Sequence, residues 1–482
     1  MPKCPKVVAC LAISAALTSG AIPLGTPAIA ASAGGTVVTG LGVDHPAPRN
    51  YARAHEPHPA KQRNKQRQLE RERQRQRQHL LRDITLVVTP AQKGETDSRA
   101  LPYNWQKADT SANSYNHQDS VSDATSHPTQ ESHAVTSPAR QCDGTAPAMR
   151  AYLRDLAAKK KFTGSALVVC RGEVLARFAA GEADEEKHIP NRPDTVFRLA
   201  SVTKQFTAML VLKLRDRGLL DLDDPVCPYL VPAYINACPT AWRPITIREI
   251  LTHTSGIPDI QGLPGFFEKL SQPTTTRELI QRFVNLPLDF APGTSWKYSS
   301  SGFILAGAII QSVTHKPYGT VLHKLITGPL KLRHTGYSRG NPPDGYAKGY
   351  FTLGSAAPPI NGSEAFSATG IYSTADDIAR WDRAFGAHLV APPATVKQAF
   401  TPQAPCPSNG CLNLPSSAYA FGWLVDRLQG HRLRYHPGLL QGYAASNMYL
   451  PDDDIEVVVL SNVQDTDTNG IARHLATMAL KS

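Results

Sequence analysis

Several signals of specialised chemistry are missing from this chain of 482 residues. It has no Cys-x-x-Cys pair and no His-Glu-x-x-His signature, and His55-Glu-Pro-His58 lacks the helical spacing that a zinc pair needs. No metal and no cofactor is therefore expected. No internal repeat is evident. Long apolar runs are scarce too. The run from Val7 to Leu17 follows Lys3 and Lys6, and Pro23, Gly25 and Pro27 interrupt what comes after it, so a continuous membrane helix is not expected there. Residues 1–33 read instead as a secretory signal peptide, with Ala28-Ile-Ala30 and Ala31-Ser-Ala33 as candidate cleavage sites. A secreted or periplasmic location follows as an expectation.

Cysteine is sparse, at eight residues, and Cys4 and Cys10 would leave with the signal. The remaining six form an even set in an exported chain. Local spacing suggests Cys227 with Cys238 and Cys406 with Cys411, and Cys142 with Cys170 follows by elimination.

Residues 34–141 are poor in core-forming side chains and rich in Ser, Thr, Gln, His and Pro, so they are expected to be mostly disordered. Within them, residues 61–82 carry nine basic side chains against Glu70 and Glu72. A solvated linker is the plainer reading of such a run; the functional one is contact with an anionic envelope surface. Export leaves nucleic acid as no expected partner.

From Cys142 to Ser482 the composition is that of a globular domain, with 34 basic and 29 acidic residues, long enough for a large core and not strongly basic. The patterning predicts a helix over Met149–Lys160, then strands Gly164–Cys170 and Val174–Ala180 joined by Arg171-Gly172. Helices follow at Thr246–Thr252, with the capping pattern Thr246-x-x-Glu249, and at Thr276–Asn285, Gly302–Val313, Tyr318–Leu325 and Ala375–Phe385. Strands return at Ala420–Arg427, Arg432–His436, Ala444–Leu450 and Ile455–Ser461, before a helix from Ile471. Strands at both ends with helices between them predict an α+β domain whose antiparallel sheet is assembled from the two termini.

The chemistry centres on Phe197–Gly218. Apolar residues from Phe206 to Leu214 cover nearly the whole circumference of a helix, the mark of a buried one, and Ser201 and Lys204 share one face of its first turn. An amine then lies beside a hydroxyl at a helix N-terminus, where negative charge is favoured. Ser201 to Lys204 is the one Ser-x-x-Lys spacing in the chain, a spacing that also arises by chance.

Two further segments occur in order after it: Tyr298-x-Ser300, in a turn before a helix, and His436-x-Gly438, at the end of a strand. With Leu251-Thr-His-Thr-Ser-Gly256 and Gly370-Ile-Tyr-Ser-Thr-Ala-Asp-Asp377 between them, residues 150–480 resemble the serine β-lactamase family, specifically its class C branch with the related D-alanyl-D-alanine carboxypeptidases and esterases. The resemblance implies the penicillin-recognising fold, a sheet with flanking helices plus an all-helical lobe, with the site between them. It implies Ser201 as nucleophile, Lys204 and Tyr298 sharing acid and base work, and an oxyanion hole from the Ser201 and Leu439 N–H groups. Which of Lys204 and Tyr298 takes the proton stays open at this level. Gly438, lacking a Cβ, would let substrate lie against its strand.

Two positions depart from the family pattern. His436 stands where β-lactamases usually carry Lys, so a substrate carboxylate would be held less by charge; carboxypeptidases, D-aminopeptidases and esterases of the family also have His there. Ser300 stands in place of the usual Asn and offers a shorter reach and one donor. Both favour a hydrolase of small esters or D-amino-acid-containing amides, some of them derived from peptidoglycan; a monomer is expected. The close rival is a β-lactamase; from another class, the rival is an envelope-binding module with a decayed site. His253 and Tyr372 are read as structural supports, and Trp242, Trp296, Trp381 and Trp423 as core or cleft wall.

Overall fold

The computed structural model describes residues 144–340, 345–414 and 416–481. The expected signal peptide, the polar segment with its basic run, and Cys142 lie outside the described residues. In chain order the main elements are α1 (Ala146–Ala158), β1 (Gly164–Cys170), β2 (Glu173–Ala180), α2 (Thr203–Asp216), α3 (Ser300–Thr314), α4 (Gly362–Thr369) and α5 (Ala375–Gly386). Then follow β3 (Ala404–Pro405), β4 (Ala418–Tyr419), β5 (Leu424–Leu428), β6 (His431–Leu440), β7 (Tyr443–Leu450), β8 (Ile455–Ser461) and α6 (Thr468–Ala479). Among the described residues no helix is long and apolar enough to cross a membrane.

The strands form one eight-stranded antiparallel sheet in the order β3-β4-β5-β6-β7-β8-β1-β2. The last strand of the chain pairs with the first, Ala166 opposite Val459, so the sheet is indeed closed from the two ends of the domain. Strands β1, β7 and β8 are buried along their whole length. Alternation explains how a continuous apolar run can serve two layers. Ala166, Val168, Val457 and Val459 pack with α1 and α6 on one face, whereas Leu167, Val169, Val458 and Leu460 join the larger helical core on the other.

Of the predicted strand Ala420–Arg427 only the part from Leu424 is extended, as β5, and β4 precedes it at Ala418–Tyr419. Gly422, at φ 81°, turns the chain between them against the backbone of Lys204, where a Cβ would collide with the Lys204 carbonyl. Both locally spaced disulfides are present, Cys227–Cys238 and Cys406–Cys411, with Cα–Cα separations of 5.6 and 4.9 Å. The proposed partner of Cys170, Cys142, is outside the described residues. The capping box at Thr246 and Glu249 forms as expected, and a second one forms at Thr275 and Glu278.

Helix α2 is the axis of the helical core. Its residues from Thr203 to Leu212 are all buried, and each large apolar side chain among them contributes about 1.5–3 kcal/mol of transfer free energy. Its buried polar residues find partners: Thr203 Oγ1 accepts from Ile371 N–H at 3.1 Å, and Thr207 Oγ1 donates to the Ser367 carbonyl at 2.7 Å. Trp242, Trp381 and Trp423 are wholly buried in the helical core, whereas Trp296 is a partly buried wall beside His253 and Tyr419.

Candidate active site

Ser201 sits on a 3-10 turn, Ala200–Val202, that runs into α2. Ala200, the residue before it, holds a left-handed backbone at φ 47°, a conformation that costs a non-glycine residue roughly 1 kcal/mol or more. The turn is wedged under β6, and here Gly438 has a further reason. A Cβ at Gly438 would run into the Leu199 carbonyl and crowd Ala200 and Ala445, so the glycine makes room for the protein's own backbone.

Lys204 Nζ donates to Ser201 Oγ at 3.1 Å, to the Ala368 carbonyl at 3.1 Å and to Ser300 Oγ at 3.4 Å. The amine is fully buried, with the Tyr298 and Phe303 rings 4.8 and 5.5 Å away. Burial pulls its pKa down to about 7, against the opposing pull of Asp259. The Tyr298 hydroxyl turns toward Ser201 without an aligned hydrogen bond, as is common before substrate arrives, and burial holds the phenol well above its ordinary range.

Two elements that sequence patterning did not show complete this pocket of partners. Asp259 accepts the Ser300 N–H at 2.9 Å and the Gln261 N–H at 3.2 Å, pinning the start of α3 beside Lys204, and burial raises its pKa. Helix α4 brings in the Ala368 carbonyl by breaking its own path at Phe366 (φ 36°, ψ −141°). It is anchored by the buried Glu364, which accepts two bonds from Arg282 at 2.6 and 2.7 Å.

His253 and His436 stand behind the reacting groups. His253 Nδ1 accepts the Ser299 N–H at 3.1 Å, and its ring lies 4.3 Å from that of Tyr298, so it supports the turn that carries Tyr298. His436 is fully buried: Nδ1 donates to the Pro437 carbonyl at 2.6 Å and Nε2 accepts from the Tyr419 hydroxyl at 3.1 Å. Burial, with Lys204 nearby, lowers its pKa to about 3, so the ring is neutral and both nitrogens are engaged. It does not line the opening, and neither does Ser300.

The opening itself is a cavity of about 460 Å³ lined by Ser201, Tyr298, Gly438 and Leu439 among others. Strand β6 outruns its neighbour here: β5 pairs only as far as Tyr435, which leaves Pro437–Leu439 as a free edge on that side. Pro437 has no N–H and is tolerated where none is needed, facing away from β7; Leu439, two residues on, points its N–H the same way, toward the free edge. Among the described residues, no group of three or more His, Cys, Asp or Glu side chains is placed to hold a metal.

The model of the beta-lactamase family matches residues 149–480. The chain belongs to the beta-lactamase family. This is a family of serine hydrolases, and the relatives include an esterase and amidases. The chain is 36% identical to Esterase EstB of Burkholderia gladioli over 195 residues, 38% of this chain and 49% of the esterase. It is 28% identical to Protein flp of Staphylococcus aureus (strain MRSA252) over 319 residues, 65% of this chain and 62% of that protein. The matches thus span about half to three-fifths of these curated relatives. Among solved structures, a D-stereospecific amidohydrolase from Streptomyces sp. superposes with a TM-score of 0.57 at 27% identity, covering 68% of this chain and 96% of that one. A D-amino acid amidase from Ochrobactrum anthropi SV3, TM-score 0.60 at 22% identity over 69% of this chain and 97% of that one, shares the fold.

Proposed function

We propose that the protein is an exported, monomeric serine hydrolase that forms an acyl-enzyme on Ser201 and acts on small esters or D-aminoacyl amides that lack a carboxylate beside the scissile bond. The observation that carries the substrate reading is electrostatic. Asp467 is the one charged residue of the cavity lining, and the ring that replaces the usual lysine, His436, is neutral and fully engaged. A β-lactam or a peptide ending in D-alanine would bring its carboxylate to a wall without a cation. The esterase and amidases among the relatives support the same reading.

The chemistry follows from the two shifted groups. Lys204, poised at about 7 by burial, takes the Ser201 proton as Oγ attacks the carbonyl carbon. The Ser201 and Leu439 N–H groups hold the oxyanion. Tyr298 keeps its proton at neutral pH, so it acts as a donor: it gives that proton to the leaving oxygen or nitrogen and regains one from Lys204. Water then attacks the acyl-enzyme by the same route in reverse, which frees Ser201.

Every group invoked belongs to one chain, which supports action as a monomer. The signal pattern and the two disulfides support export to an oxidising compartment. Turnover of p-nitrophenyl acetate, D-phenylalanine amide and benzylpenicillin, with Ser201→Ala as control and intact mass as a second readout, tests the proposal. Ester or amide turnover that vanishes in Ser201→Ala is expected. Ring opening of penicillin with a higher kcat/KM than either would make the protein a β-lactamase and overturn the substrate reading.

A further inference from the structure

The cavity has two unlike sides. Gln261, Thr466, Thr468 and Asn469 are polar, whereas Leu412, Leu414, Pro437 and Leu439 are apolar. Leu439 keeps 58% of its surface exposed although it follows the glycine beside the nucleophile. Leu412 and Leu414 are half-buried against the core on the α1 and α6 side of the sheet, and the surface they leave open joins Leu439 around one opening as an apolar patch.

Leu412 and Leu414 come from a short loop built to hold them still. Leu412 and Asn413 are consecutive left-handed residues, at φ 59° and 56°. Such a pair persists only where its surroundings over-determine it. Here they do. The Cys406–Cys411 disulfide closes the loop. Ser416 Oγ accepts the Cys411 N–H at 2.9 Å and lies 3.0 Å from the Leu414 carbonyl, while Asn409 Nδ2 donates to Asn413 Oδ1 at 2.6 Å. Gly410, at φ 81°, leaves room for the Leu414 carbonyl that any Cβ would strike. Disulfide, glycine and hydrogen bonds all lie within a few residues, and what they present is two leucines at the mouth of the site.

We propose that the Cys406–Leu414 loop is a specificity element that holds an apolar alkyl or aryl group of the substrate against Leu412, Leu414 and Leu439. The inference rests on hydrolysis at Ser201 and adds the substrate class: uncharged esters or amides with a hydrocarbon group flanking the scissile carbonyl.

The test is the ratio of kcat/KM for p-nitrophenyl octanoate to that for p-nitrophenyl acetate. Each methylene moved from water to an apolar wall contributes roughly fourfold, so two partly covered methylenes set the scale. L412A/L414A is expected to lower the octanoate-to-acetate ratio by about tenfold or more, chiefly through KM. C406S/C411S keeps both leucines and frees the loop, and is expected to lower the ratio by roughly threefold. Leu439→Gln, at an exposed position, gives a third variant that does not depend on loop folding. An unchanged ratio in all three overturns the proposal, as does an equal loss for both esters.

Labelling of Ser201 by methyl- and octylphosphonate p-nitrophenyl esters, followed by intact mass, separates the two readings. If wild type hydrolyses neither ester but is labelled faster by the octyl probe, the ester reading fails and the loop's role stands. If no label appears at all, both fail.

Discussion

Lys204 and Gln205 are neighbours on α2 and face two different buried polar sites. Lys204 meets Ser201, Ser300 and a carbonyl beneath the cavity. Gln205 Oε1 accepts from Trp381 Nε1 at 3.3 Å and from Asn447 Nδ2 at 3.1 Å, and Asn447 also donates to Asp382 at 3.0 Å. Beside that network lies Glu456, and both carboxyls are wholly buried, with pKa values raised by burial to about 8 for Asp382 and about 9 for Glu456. Both sites therefore hold strongly shifted groups. The first lies beneath the cavity lined by Ser201 and Tyr298, whereas Asp382 and Glu456 have no exposed surface. The difference teaches that desolvation alone does not mark a place of reaction; a shifted group needs a path to substrate.

The largest break in this comparison comes from the open site. Ser201→Ala and Lys204→Met are each expected to lower kcat/KM for a p-nitrophenyl ester by about a thousandfold or more. Lys204→Met should also raise the melting temperature. With its pKa lowered to about 7 from 10.5, Lys204 weakens the fold most below pH 7, and that cost fades as pH rises toward 10.5. Melting curves at pH 6 and pH 10 check this: a variant no more stable than wild type at pH 6 would contradict the burial of a cation there.

Gly438→Ala comes next. Its Cβ would drive β6 from the Leu199 carbonyl, so a loss of about 2–3 kcal/mol in urea unfolding is expected together with roughly a hundredfold loss of activity. A fully active Gly438→Ala would mean that the Ser201 turn tolerates displacement.

A smaller effect sharpens the role of Lys204. kcat/KM should rise with pH through about 7 as the amine loses its proton. Asp259→Asn removes the negative charge that holds this pKa up, so the acidic limb should move down by about one pH unit. A limb that stays in place assigns it to another group.

The closed site should matter least to activity. Asp382→Asn and Glu456→Gln are expected to leave kcat/KM within about threefold, while changing how stability depends on pH. Raised carboxyl pKa values give stability that is full below the ordinary carboxyl range and lost as pH rises through about 8 and 9. Urea unfolding at pH 5, 7 and 9 should therefore show wild type falling more steeply than either variant; equal slopes would place the two acids elsewhere.

What was legible in the sequence was mostly local or periodic. The strands of the two chain ends, the capping box at Thr246 and the buried circumference of α2 follow from patterns within a few residues. So does the face shared by Ser201 and Lys204. What was not legible depends on contacts made across the chain. Asp259 reads as a turn residue until Ser300 is folded beside it, and the break in α4 at Phe366 has no local signal, since Phe has no preference for a positive φ. That Gly438 also makes room for the Leu199 carbonyl was not legible, because Leu199 comes from a segment more than two hundred residues earlier. His436 was expected at the substrate, and it stands behind the cavity because Tyr419, from another strand, claims its second nitrogen.

The pairing of β1 with β8 has a consequence in time. Ser461 Oγ donates to the Thr163 carbonyl across 298 positions of the chain, and the sheet cannot be completed until that last strand is present. A chain emerging N-terminus first must therefore carry the largely apolar, buried strand β1 without its partner β8 until the residues from 455 onward have emerged. Such late, distant pairing folds slowly and leaves an apolar edge exposed to other chains meanwhile. Truncation at the C-terminus removes the keystone of the sheet, and a nascent chain halted before residue 455 is where aggregation should concentrate.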